Sequence, residues 1–414
     1  MRKGFGAAAG ALLICLYGAS SIAQSIGPFE KPSVFETADL LPESEITGPN
    51  WQLEELTTTN GLDLLFTFNT PFGVESVDGR LMFNIRAHEL RAVDHMEQVK
   101  GTDVYAEAAK NAAAGPFATA ADLITSPVET TGNIVSGTGK WIGSVWDGAT
   151  NWGADDDNVL EAATGFAAAK RAYAYAYQID PYSRFEPLQS QLKDITWAGF
   201  AGGLTVQVAF QVVPDTPGLI LQVGSFLDSA AQRARDNTPA ELRRLNKKQL
   251  DAVGVDPTVS DIFLSGEVYS PTEKDLLVAA LEQMAGIDDL TAIVRQAALD
   301  SEPSQPVYRR RQVELMAGYT KSFQGVRRVV IIQNAMFMQR SDGVVVGVFP
   351  VDYVNWTKDV GVSIHNVHTD IQQMPDVSGV EIWLTGHLSD LTKERIAAYG
   401  WTVNEGIGDM FDLQ

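Results

Sequence analysis

His365 and His368 stand three residues apart, with Asp370 close behind them. On a helix, side chains at that spacing share a face. Imidazole with carboxylate is a donor set suited to zinc or another transition ion. A solvated helix face is the competing reading of the same three residues. His387 follows the apolar run Val380–Leu384, in the turn Thr385-Gly386-His387. The carboxyl end of a strand in an α/β unit is where sites gather, so His387 is a second candidate, with a polar turn as its alternative. His88 and His95 are seven apart and would share a helix face. His88-Glu89 opens a zinc-peptidase pattern, but Ala92 occupies the place of the second histidine, and the pattern fails.

Other reaction signatures fall away on inspection. Ser136-Gly137-Thr138-Gly139-Lys140 resembles a phosphate loop, yet Ile134 stands where its first glycine belongs. Trp141 replaces the hydroxyl residue that would meet magnesium. No Gly-x-Ser-x-Gly elbow follows residue 23. Asp155, Asp156, Asp157, Asn158 and Glu161 offer oxygen ligands for calcium without the spacing of a known loop. An acidic helix start explains them equally well. Cys15 is the only cysteine, and it lies in the leader described below. Without that leader, thiol nucleophiles, disulfides and thiolate metal sites are excluded.

The most distinctive cluster is Trp141, Trp146 and Trp152, set among frequent glycines between residues 116 and 153. Each glycine inside a helix costs roughly 1 kcal/mol relative to alanine, so such a segment needs something to pack on. The candidates are the protein's own core, a partner protein and a lipid interface, where tryptophan sits well.

The elements that must position these residues are mostly helical. Leu62–Phe68 alternates, and Val74–Val77 can pair back across Pro71-Phe72-Gly73 as a hairpin. Arg80–Lys100 shifts to helical spacing, followed by helices over Val104–Ala114, Val159–Tyr177 and about 187–200. Leu204, Val206, Val208, Phe210 and Val212 alternate with Thr205, Gln207 and Gln211, which predicts a strand over 204–213. Thr238-Pro239-Ala240-Glu241 and Ser270-Pro271-Thr272-Glu273 share one grammar of capping hydroxyl, first-turn proline and returning glutamate. They predict helices to about Val253 and Ala285. Further helices are expected over about 288–299 and from Ser304 onward. After them, Arg328–Met338 and Val344–Phe349 form a hairpin through Ser341-Asp342-Gly343, and 356–369 reads as a helix. Val380–Leu384, a helix capped by Ser389, and Trp401–Val403 fit a strand–helix–strand crossover.

The chain has 414 residues and a net charge of −21. An acidic surface repels phosphate backbones and anionic lipid headgroups, so nucleic acid is not an expected partner. Arg2 and Lys3, the apolar stretch from Phe5 to Tyr17 and the small residues of Ser21-Ile22-Ala23 follow the three-part grammar of a secretory signal peptide cleaved before Gln24. Export without disulfides suits a bacterial envelope protein of this size.

The expected fold class is α+β: a mostly helical body with a short N-terminal β element and a small C-terminal α/β module. The expected organisation is a signal peptide over 1–23, an extended lead-in over 24–60 carrying Pro28, Pro32, Pro42 and Pro49, a mainly helical domain over 61–325 that includes the segment 116–153, and the module over 326–414. The expected function is that of an exported, periplasmic or secreted protein of the cell envelope. It would act by binding an envelope protein or membrane surface through Trp141, Trp146 and Trp152. No cofactor is expected. The alternative is a metal-dependent or other hydrolase with its site near His365, His368, Asp370 and His387.

Overall fold

The fold is α+β, and the computed structural model describes residues 26–114, 161–213, 225–408, 410 and 411. Its first unit grows from alternation. Strands β1 (Val34–Glu36), β2 (Thr47–Gly48), β3 (Trp51–Leu53), β4 (Leu56–Thr59), β5 (Leu64–Thr70) and β6 (Gly73–Asp78) form one antiparallel sheet, with the short helices α1 (Thr37–Leu40) and α2 (Glu43–Ile46) between β1 and β2. The predicted hairpin is present: Phe66 pairs with Val77 and Asn69 with Val74. Trp51, Leu53, Leu64, Phe66, Phe68 and Val77 are buried on one face. They pack against α3 (Gly79–Lys100), where Phe83 lies 4.8 Å from Phe66 and stacks on Phe68 at 5.6 Å. The stretch expected as an extended lead-in contributes four strands from Val34 onward. They are two to four residues long, too short for a periodic signal, and all four prolines lie outside them.

Helices α4 (Asp103–Ala114), α5 (Glu161–Ala176), α6 (Glu186–Gly202), α7 (Val206–Val212) and α8 (Ser225–Asp236) follow. The predicted strand over 204–213 is a helix instead. Thr205 caps it by accepting the Val208 amide at 3.2 Å. Phe210 lodges between His95 at 5.0 Å and Tyr177 at 4.6 Å. A short helix pairs the amides of its last turn internally, whereas an isolated strand pairs none, and Val206, Val208, Phe210 and Val212 all pack partly buried against the first core.

The second unit is a three-layer sandwich. Strands β7 (Val326–Ile332), β8 (Ala335–Arg340) and β9 (Val344–Phe349) run antiparallel; β9, β11 (Gly379–Leu384) and β13 (Thr402–Asn404) run parallel. A short parallel pair, β10 (Tyr353–Val354) and β12 (His387–Leu388), lies off the main sheet. On one face pack α9 (Pro239–Ala252), α10 (Pro257–Ser265), α11 (Pro271–Glu282), α12 (Leu290–Leu299) and α13 (Gln305–Ser322), meeting Val329, Met336, Met338, Val346 and Val348. On the other face α14 (Lys358–Gln373), α15 (Asp390–Ala398) and Ile26 meet Ile332, Phe337, Val345, Val380 and Ile382. Packing thus joins residues 239–322 to the sheet that follows them, across the boundary expected at 325. Both capping boxes are formed, Thr238 with Glu241 and Ser270 with Glu273.

Hydrogen bonds tie the two units, and the segment before β1, together. Leu62 O accepts the amides of Asp352 and Tyr353, and Gly61 O accepts that of Asn355. The Trp356 indole donates to Ile26 O at 3.2 Å. Asp180 accepts the hydroxyls of Ser270 and Thr272, both at 2.8 Å. Among the described residues no helix is long and apolar enough to cross a membrane.

Candidate functional site

Parallel strands end together, and here β9, β11 and β13 deliver Pro350, Asp352, Thr385, Gly386, His387 and Gly408 to one edge of the second unit. The amino ends of α3 and α13 approach the same edge. A cleft of about 630 Å³ lies between them, with one wall from each unit. The first unit supplies Asp63, Asp78 and Arg80 to it; the second supplies Tyr308, Asp352 and His387.

Asp63 and Asp352 are the centre of the site. Both carboxyl groups come within 3.8 Å of the point where a Cβ on Gly79 would stand. Asp352 reaches across from the second unit to cap α3: its Oδ2 accepts the Arg80 amide at 2.8 Å and the Leu64 amide at 3.2 Å. Asp63 is only 8% exposed. Burial holds its carboxyl well above the usual carboxylate range, and the nearby Asp352 and Asp78 push in the same direction against one amide hydrogen bond from Asp352. Burial also raises Asp352, with the Arg80 and Leu64 amides and then the Arg80 charge opposing it. Burial raises Asp78 as well. A buried carboxyl beside other carboxyls favours its protonated form.

The cations on the rim are committed elsewhere. Arg309 is buried against Asp300, at 2.9 Å and 3.2 Å. Arg311 donates to Gly408 O and pairs with Glu314. The Arg80 guanidinium donates to Leu40 O at 3.2 Å. Burial raises the Tyr308 phenol, and Asp63 adds to the effect.

The sequence candidates scatter. His387 does line the cleft, at its exposed rim, and faces Glu405 at 3.2 Å. His365 meets the Tyr399 hydroxyl at 3.1 Å, and His368 stacks on Tyr399 at 4.1 Å and lies 5.8 Å from Trp401. Burial, then His365, lowers the His368 imidazole. Asp370 accepts from Gln333 at 2.6 Å rather than turning to the histidines. The helix predicted around His365 is present, but its histidines serve aromatic packing, and among the described residues no three His, Cys, Asp or Glu side chains are placed to hold a metal ion. His88 and His95 are buried against Tyr177, one on its carbonyl and one on its hydroxyl, each at 2.8 Å. Trp141, Trp146 and Trp152, with the signal segment 1–23, lie outside the described residues.

Sequence reasoning missed Asp63, Asp78, Asp352 and Tyr308. The strand-end argument that selects His387 after β11 applies equally to Asp352 after β9. No comparable signal marks Asp63, which ends a turn in the other unit.

Comparison of the chain with protein-family models, with curated proteins and with solved structures finds no match in any of the three.

Proposed function

We propose that this is an exported protein of the cell envelope that acts by binding a small polar ligand in the cleft between its two units. The observation that carries the reading is the cleft's position. It opens at the carboxyl ends of three parallel strands, the place where open α/β sheets hold ligands, and buried polar groups from both units converge there. Its volume falls in the range of small-molecule sites. Export is supported by the charged, apolar and small-residue pattern of residues 1–23.

A ligand-observed NMR fragment screen tests the cleft. Hits on the wild-type protein should vanish when Thr385→Trp fills the cleft. Unchanged binding to that variant would refute the reading. Amino-terminal sequencing of protein recovered from the cell envelope should begin at Gln24, whereas recovery with Met1 retained in the cytosol would remove export.

The carboxyl pair favours a second reading, a hydrolase. Two neighbouring buried carboxyls, with Asp63 raised by burial and by the nearby Asp352 and Asp78, are the kind of pair that can divide acid and base roles in hydrolysis. Turnover of a bound ligand, lost in both Asp63→Asn and Asp352→Asn, would select this reading over simple binding.

A further inference from the structure

We propose that the cleft recognises an organic cation, an ammonium group seated against Asp63, Asp352 and Asp78. The inference rests on the cleft reading and adds the ligand's chemistry. Asp63 carries it: the side chain is more than nine-tenths buried, lines the cleft, and has one backbone amide as its hydrogen-bond partner. Among the described residues no Lys, Arg or His forms an ion pair with Asp63, Asp78 or Asp352. Buried carboxylates are ordinarily paired. Arg309 and Arg311 are engaged by Asp300 and Glu314 instead, and the Arg80 guanidinium, held on Leu40 O, acts on Asp352 through space without forming an ion pair. A ligand ammonium would favour the ionised form of Asp63, supplying its counter-charge and up to three donors.

Two further features fit a cation. The aromatic rings of Phe35 and Tyr353, 5.0 Å apart and edge to face, line the same cleft as Tyr308, and aromatic faces attract ammonium groups. The amino end of α3, which would otherwise favour an anion, is already capped by Asp352.

The test uses three probes of equal chain length: 1,4-diammoniobutane, 1,4-butanediol and succinate, titrated into the purified protein by calorimetry or ligand-observed NMR. The diammonium should bind at least about 10-fold more tightly than the diol or the diacid, the increment expected for charge-assisted hydrogen bonds. Asp63→Asn should remove that preference. Asp78→Asn, at a less buried position, should weaken it, which keeps the test informative if Asp63→Asn fails to fold. Equal or tighter binding of the diol or succinate overturns the cation assignment and leaves the cleft reading standing. Absence of binding by all three also overturns it. The cleft reading falls only if the fragment screen finds nothing that Thr385→Trp displaces.

Discussion

Asn355 binds the first unit to the second: its Oδ1 accepts from the Thr59 hydroxyl at 2.7 Å and from the Ser33 amide at 3.0 Å. Its Nδ2 donates to Ser33 Oγ at 2.9 Å. The side chain is fully buried, so Asn355→Ala strands a donor and a hydroxyl in the interior. The expected loss of stability is about 2–4 kcal/mol, read from the urea midpoint at unchanged slope. A loss below about 0.5 kcal/mol, the range of a neutral surface change, would mean that the contact does not hold the seam.

Trp356 is the largest fully buried side chain of the second unit, and its indole donates to Ile26 O. Trp356→Ala should cost about 3–5 kcal/mol. Ile26 and Phe29 pack in the same cluster, so the substitution should also free the segment before Val34. Limited proteolysis should cut there in the variant well before it cuts the wild type. Cleavage elsewhere first would argue against the indole as the anchor of that segment.

The sequence made the second unit more legible than the first. Ser270 and Glu273 announce a capping box, and Ser341-Asp342-Gly343 announces a hairpin, because those signals are local. Leu204–Val213 misleads because its alternation is genuine although the element is a helix: Phe210 meets His95 and Tyr177, and Val206, Val208 and Val212 pack partly buried against the same core. Tyr173 and Tyr177 are buried four apart, with Tyr175 on another face beneath Arg235 at 4.6 Å. The cleft was half-legible. His387 could be placed from the strand before it, but Asp63 and Asp352 become neighbours only through the long-range pairing of Gly61 and Leu62 with Asp352, Tyr353 and Asn355.

Glu273 sets a pH dependence. Burial, then the neighbouring Asp180, pushes its carboxyl up to about 7 from an ordinary 4.5. A carboxyl whose folded value is raised contributes stability below its unfolded value and loses it as pH rises through the folded one. The wild type should therefore lose stability between about pH 4.5 and 7. Glu273→Gln keeps an acceptor for the Ser270 amide and should flatten that decline by about 2–3 kcal/mol. Chemical denaturation of both proteins at several pH values checks it; parallel curves would remove Glu273 as the cause.

Asp300 holds Arg309 and the Tyr269 hydroxyl together, with all three buried. Asp300→Ala leaves a guanidinium without its counterion, at an expected cost of about 3–5 kcal/mol. Asp300→Asn retains an acceptor for Tyr269 and Arg309 and should cost less. Thermal melting ranks the two, and an equal loss would place the energy in the charge rather than in the hydrogen bonds.

Gly386 sits where the walls of the cleft meet. A Cβ there would stand 1.9 Å from Asp352 O and 2.4 Å from Asp352 C. Those are backbone atoms, and the Asp352 carbonyl also receives the His387 amide at 2.9 Å. Neither partner can swing aside as a flexible side chain would. Gly386→Ala must separate 352 from 386, moving Asp352 off the amino end of α3. The expected loss is about 2 kcal/mol or more, with loss of every fragment that binds the cleft. Gly254→Ala is the control: it meets nothing within 4 Å, but its φ of +79° should cost about 1 kcal/mol through backbone strain. Fragment binding should survive that change. If Gly254→Ala abolished binding as well, the loss at Gly386 would report general destabilisation rather than the geometry of the cleft.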